Sequence, residues 1–125
     1  GEERVRGSTR DKEFFVDGGG WSLISAGSAA RSALHVVESR RARGEALGLL
    51  ELQTLWPFPA EVVRTRCAHA KHLLVVELNM GQILQEVKKA VVDPEKVFLA
   101  NKIDGTFITP TDIRNVLRLI QGKGV

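Results

Sequence analysis

The chain has 125 residues, 43% apolar and 26% charged, with a net charge of +3; this is the size and balance of one globular domain and excludes disorder over most of the length. No apolar run approaches the ~20 residues of a membrane span, and the charged start (Glu2, Glu3, Arg4, Arg6) is unlike a signal peptide. The single cysteine, Cys67, excludes an internal disulfide and any cysteine-ligated zinc or iron–sulfur site built from this chain alone, and points to a reducing compartment, the cytoplasm.

Residues 1–20 are polar and punctuated by Gly7 and by Gly18, Gly19 and Gly20, a pattern that predicts a flexible tail or linker ahead of a domain over 21–125. From Trp21 the pattern alternates. A short apolar run to Ala26 predicts a strand, Gly27 and Ser28 a turn, and Ala30, Ala33, Leu34 and Val37 fall at helical spacing. Arg40, Arg41 and Arg43 then read as the solvated last turn of that helix, suited to the negative end of its dipole, before Gly44 stops it. Nucleic-acid binding would want such charge in a stripe interleaved with aromatics, and the five Phe and two Trp are scattered.

Ala46 to Leu55 is a second apolar run, rich in Leu, that must end at Trp56-Pro57-Phe58-Pro59, because two prolines two apart fix the backbone into a rigid connector. Pro59 suits the start of a helix running to about Lys71, with Val63, Cys67 and Ala70 along one face. His72 to Leu78 contains Leu73, Leu74, Val75 and Val76, the continuous apolar run of a strand covered on both faces. Asn79, Met80 and Gly81 turn the chain into a helix bearing Ile83, Leu84, Val87 and Val91, which Asp93 and Pro94 break. Val97 to Ala100 predicts a fourth strand and Asp104-Gly105 a turn; Thr109 caps a last helix with Ile113, Val116, Leu117 and Ile120 on one stripe. Four strands alternating with four helices predict an α/β three-layer sandwich, a mostly parallel sheet with helices on both faces.

In such sheets ligands bind at the carboxyl ends of the strands, which directs attention to Gly27 and Ser28, to Trp56–Pro59 and to Glu77–Gln82. The first turn has one glycine and no Walker lysine, so it reads as a tight strand-to-helix turn before it reads as an anion cradle. Glu77, Asn79, Gly81 and Gln82 concentrate a carboxylate and two amides at one edge, but with no second carboxylate or nucleophile nearby in the chain they read as helix caps and partner contacts. Cys67, His69 and His72 straddle a helix end and a strand start, so they do not share a face and predict no metal site. His35, mid-helix, reads as a surface or partly buried packing residue rather than a catalytic base, and Ser28 and Ser32 have no histidine and acid partners in a recognisable arrangement. No catalytic residue is predicted. Trp56 and Phe58, held by adjacent prolines, are either core anchors or an interface hot spot.

Leu55-Trp56-Pro57-Phe58-Pro59, followed about twenty residues later by Val75-Val76-Glu77-Leu78-Asn79-Met80-Gly81-Gln82, resembles the C-terminal part of the alpha subunit of 2-oxoacid:ferredoxin oxidoreductases. Ile24-Ser25-Ala26-Gly27-Ser28, Asp104-Gly105 and Thr109-Pro110 resemble that family in order and spacing, so the resemblance extends over roughly residues 21 to 121. It implies a transketolase C-terminal-like domain, whose parallel sheet carries an antiparallel edge strand. It implies an assembled enzyme that converts a 2-oxoacid to an acyl-coenzyme A with thiamine diphosphate, magnesium and iron–sulfur clusters, passing electrons to ferredoxin. The chain lacks that family's pyrimidine-binding domain and its cysteines, so it is expected to bind no cofactor and catalyse nothing alone. Its implied role is structural: Trp56, Pro57, Phe58 and Pro59, with Glu77, Asn79, Met80, Gly81 and Gln82, meet other domains of the alpha subunit or a thiamine-binding beta subunit. The competing reading is a stand-alone module that binds an anion such as coenzyme A or phosphate at Gly27 and Ser28. Position 1 is glycine and the only methionine is Met80, which favours a piece of a longer polypeptide.

Overall fold

A computed structural model describes residues 4–5, 12–15, 20–53, 56–78, 81–102 and 106–122. Strand β1 (Arg4–Val5) and β2 (Lys12–Phe14) precede the predicted alternation of β3 (Trp21–Ala26), α1 (Ala29–Ala42), β4 (Leu47–Leu52), α2 (Ala60–Arg66), β5 (His72–Glu77), α3 (Gln82–Ala90), β6 (Val97–Asn101) and α4 (Pro110–Gln121). The strands form one sheet in the order β1-β2-β4-β3-β5-β6. Strands β4, β3, β5 and β6 are parallel neighbours, whereas β1 and β2 run antiparallel at the β4 edge. The expected α/β sandwich and its antiparallel edge are both present.

The chain travels from β3 outward to β4, then doubles back past β3 to β5 and on to β6. Because parallel crossovers share one hand, reversing the direction of travel moves the helix to the other face. Accordingly α1 and α4 pack with Leu23, Leu49, Leu74 and Val76 on one face, and α2 and α3 pack with Ile24, Leu50, Leu73 and Val75 on the other. Each central strand therefore feeds both cores with alternate residues, which is why Leu73 to Val76 is unbroken apolar sequence.

The helix ends follow their sequence signals. At the C-terminus of α1, Gly44 (φ +92°) lets its own N–H reach the Arg41 carbonyl and the Glu45 N–H reach the Arg40 carbonyl, each at 3.0 Å, the Schellman pattern. Thr109 caps α4 as predicted, and Asp112 completes a capping box by accepting from the Thr109 N–H at 2.9 Å. Helix α2 is shorter than the run to Lys71 predicted from its apolar stripe; it ends at Arg66, and Cys67–His69 form a turn.

Two expectations are corrected. Lys12–Phe14 is a strand of the sheet, so the predicted tail over 1–20 does not hold there. Phe14 enters the core under α1, and the Glu13 carboxylate, buried on the opposite face, is gripped by both Nε (2.6 Å) and Nη2 (2.9 Å) of Arg66. That fork satisfies the buried charge and clamps β2 to α2. The arginine cluster stands at the end of α1 as expected, but only Arg43 is fully solvated. Arg40 is buried and pairs with Glu45 at 2.8 Å, while the Arg41 guanidinium lies 3.8 Å above the Phe15 ring.

Gly48 is the residue this edge requires. A Cβ there would lie 2.6 Å from the Phe15 carbonyl oxygen, a backbone atom that cannot rotate away. Gly48→Ala should lower stability by about 1–3 kcal/mol through overpacking, read as a lower urea midpoint; an unchanged midpoint would show that β2 does not press on β4.

Candidate functional site

The loops at the carboxyl ends of the parallel strands hold nearly all the residues singled out in the sequence. Strands β3 and β5 are neighbours whose onward connections leave in opposite directions, which makes the crevice between them the switch point where α/β sheets usually bind ligands. Gly27 and Ser28 stand on one side of that crevice and Glu77, Gly81 and Gln82 on the other.

Gly27 has a φ of +62°, a left-handed conformation that an L side chain resists, so the tight turn from β3 into α1 depends on it. Ser28 occupies the N-cap position of α1 but makes no side-chain capping bond, and the first turn has no acidic residue. Its hydroxyl has no histidine beside it in the sequence, and His35 lies exposed further along the helix.

Glu77 ends β5 and is 1% exposed. Its two carboxylate oxygens accept from the backbone N–H groups of Ile83 at 3.2 Å and Leu84 at 3.0 Å, so it caps α3 across the turn. A carboxylate in that position meets the positive end of the helix dipole and two otherwise orphaned donors. It also fills the place an anionic ligand would take. The cap reading of Glu77 holds, and the carboxylate is committed to structure. Gly81, with φ +94°, is the N-cap residue that bends the chain back over Glu77, and Gln82 begins α3 with its side chain exposed. Asn79 and Met80 lie outside the described residues.

After β4 the chain presents Trp56, Pro57, Phe58 and Pro59, with Pro59 at the N-cap of α2. The two aromatics part company. Phe58 is half-buried and packs against the α2/α3 core, whereas Trp56 is 62% exposed. Of the two alternatives left by the sequence, Phe58 is an anchor of the fold and Trp56 is an outward-facing aromatic.

The Cys67, His69 and His72 side chains diverge. Cys67 is buried behind α2, and that burial pushes its thiol up to about 12, which keeps it an unreactive thiol. His69 is exposed, and His72 stacks on Trp21 at the opposite edge of the sheet with ring centroids 4.6 Å apart. Among the described residues no three histidine, cysteine or carboxylate side chains converge as a metal site. One buried cysteine does not fit an iron–sulfur cluster, which wants four thiolates.

Sequence reasoning missed one part of this edge. Between β6 and α4, Phe107 is 74% exposed beside a cleft of about 610 Å³ that Gly27, Ser28, Arg31 and Glu51 also line. The available signal was an aromatic residue alone between a turn and a helix cap, which periodicity does not register.

Comparison with known proteins settles the family. The model of pyruvate:ferredoxin oxidoreductase core domain II matches residues 21–113. The chain belongs to the pyruvate:ferredoxin oxidoreductase core domain II family. It is 36% identical over 96 residues to the 2-oxoglutarate synthase subunit KorA of Methanothermobacter thermautotrophicus, covering 77% of this chain and 26% of that protein. It is 32% identical over 114 residues to the ketoisovalerate oxidoreductase subunit VorB of Methanothermobacter marburgensis, covering 91% and 32%. This core domain II chain thus spans about a quarter to a third of these relatives. In fold it is similar to the 2-oxoglutarate:ferredoxin oxidoreductase of Magnetococcus marinus, solved with 2-oxoglutarate, coenzyme A and succinyl-CoA bound. That likeness has a TM-score of 0.73 at 20% identity over 95% of this chain and 19% of the other. A split-gene transketolase, an inactive beta4 tetramer, gives a TM-score of 0.65 at 14% identity over 82% and 38%.

Two outcomes test these assignments. Glu77→Ala should cost about 2–4 kcal/mol, because two N–H groups lose their acceptor, with faster hydrogen exchange at Ile83 and Leu84; unchanged exchange there would refute the cap. Burial, aided by Lys71 and Lys96, lowers the His72 pKa below its ordinary 6.5. The folded state therefore takes up a proton less readily than the unfolded one. The stability this confers is complete above about pH 6.5 and is lost as pH falls through the depressed value. His72→Phe should lose less stability than the parent between pH 7.5 and pH 5 in urea titrations, and equal losses would show that His72 is not the sensor.

Proposed function

We propose that this domain is a non-catalytic structural and interface domain of the alpha subunit of a thiamine diphosphate-dependent 2-oxoacid:ferredoxin oxidoreductase. The observation that carries this reading is Trp56, an indole 62% exposed at the carboxyl edge of a domain whose family members are subunits of such enzymes. A large aromatic held out by Pro57 and Pro59 covers little of its own core. It is the side chain type that dominates protein interfaces. Pro57, Gln82, Asn79 and Met80 belong to the same two loops and complete the contact surface, with Phe58, Pro59, Glu77 and Gly81 holding those loops in shape.

In the assembled enzyme this domain meets the other domains of the alpha subunit and a thiamine-binding beta subunit, in the cytoplasm. Thiamine diphosphate, magnesium, iron–sulfur clusters and coenzyme A belong to the rest of the assembly, and ferredoxin accepts the electrons. The donor set here supports that division of labour: Glu77 is already engaged by α3, and Cys67 is buried and protonated. The chemistry supplied elsewhere is oxidative decarboxylation of a 2-oxoacid to an acyl-coenzyme A. Among the described residues no helix is long and apolar enough to cross a membrane.

Trp56→Ala in the assembled enzyme tests the reading. The interface should weaken by about 2–4 kcal/mol as for a hot spot, while the domain's own melting shifts little because the indole is exposed. An assembly that native mass spectrometry finds intact at unchanged affinity, together with an unchanged rate of proteolytic release of the domain, would remove Trp56 as an anchor.

A further inference from the structure

We propose that Phe107 and the cleft beside it form the second half of the Trp56 interface, and that the remaining domains of the same polypeptide cover both. The inference rests on the alpha-subunit reading above. Phe107 is 74% exposed, yet the backbone that follows it is held in place. Its neighbour Ile108 is buried, and the Ile108 carbonyl accepts from the Ser32 hydroxyl at 2.8 Å, which ties the loop to α1. Thr109 then enters the capping box of α4. The phenyl ring is thus presented from a fixed stalk at the rim of a concave surface of about 610 Å³, floored by Gly27, Ser28 and Glu51. Trp56 precedes Pro57 and Phe58, and Phe58 packs against the α2/α3 core, so the exposed indole stands next to an anchored residue pair. Rigid aromatics lose little entropy on burial, so two of them at one sheet edge form a prepared surface.

Area decides what covers that surface. Two such rings offer roughly 300 Å² of exposed area, well below the ~800 Å² per partner of a stable complex between separate proteins. A covalently attached neighbour has an effective concentration in the millimolar range and needs no more than that. The relatives are three to four times the length covered by this chain, so their subunits contain such a neighbour.

The test uses the intact polypeptide that carries this segment, purified with its accompanying subunits. Hydroxyl-radical footprinting should find Phe107 and Trp56 oxidised about fivefold or more slowly than exposed rings, as buried interface residues are, with the protection surviving separation of the subunits. Phe107→Ser should speed proteolytic release of the domain by about tenfold or more through loss of tethered docking, and Leu119→Ser, exposed on α4, should not. Phe107 oxidised as fast as an exposed ring, or a release rate unchanged in Phe107→Ser, would overturn the proposal. Protection that vanishes when the subunits separate would overturn the choice of occupant. Native mass spectrometry of the same sample reads the alpha-subunit assignment separately: absence of a beta subunit defeats that assignment, whereas protection of Phe107 is read on the polypeptide itself.

Discussion

Covering a parallel sheet on both faces dictates most of this molecule. Strands β3, β4 and β5 are flanked by strands on either side and by helices above and below, so nearly every side chain they carry is removed from water. A charged group survives inside such a layer only with a partner in place. Glu13 has Arg66, and Glu77 has the first N–H groups of α3. Ser22 and Ser25 of β3 add only small buried hydroxyls, and most other polar groups lie toward the strand ends, where the loops turn. The carboxyl edge therefore holds this domain's variety, and even there its most chemically suggestive group, Glu77, is used to hold a helix.

That constraint also explains what the sequence revealed. Two-sided burial writes itself into composition, so Leu73 to Val76 could be recognised from residue type alone, and the caps at Gly44 and Thr109 were readable because each requires a particular backbone or side-chain chemistry. Strand β2 was not readable. It has three residues with one charge on each side of a single register, and Glu13 resembles a surface residue until Arg66, 53 positions away, is brought beside it. Arg40 misled for the same reason: its partner Glu45 lies across a turn whose geometry decides that the two meet. At the site, Glu77 as a cap followed from its position ahead of a helix. The opposite fates of Trp56 and Phe58 did not, since both sit in the same proline-bounded run and only packing separates them.

The two ends of the sheet are treated differently. At one side β1 and β2 extend it in the antiparallel sense, with Gly48 allowing β2 to close against β4. At the other, β6 is the outermost strand among the described residues and is only five residues long. Lys96 and Lys102 bracket it. Lys96 reaches back to the carbonyls of Cys67 and Ala70, and Lys102 pairs with Asp112. A short edge strand with lysines at both ends resists pairing with another strand, because antiparallel self-pairing about its centre would set Lys96 against Lys102 of the second copy.

Edge-to-edge growth is thereby disfavoured at β6, and the other exposed large apolar groups among the described residues, Val92 in the bend after α3 and Leu119 on α4, are single residues in separate places. The carboxyl edge differs in kind. Its two exposed aromatics sit next to anchored residues, Trp56 ahead of Pro57 and the packed Phe58 and Phe107 ahead of the buried Ile108 and the capping box of α4, and a concave surface lies beside the latter. Isolated apolar side chains on a helix surface are ordinary for any globular protein. Rigidly presented aromatics beside a cleft are not, because exposing them costs hydration free energy that folding alone never recovers. The docking proposed above would recover that cost, and the relatives, of which this chain spans about a quarter to a third, have the length to supply it.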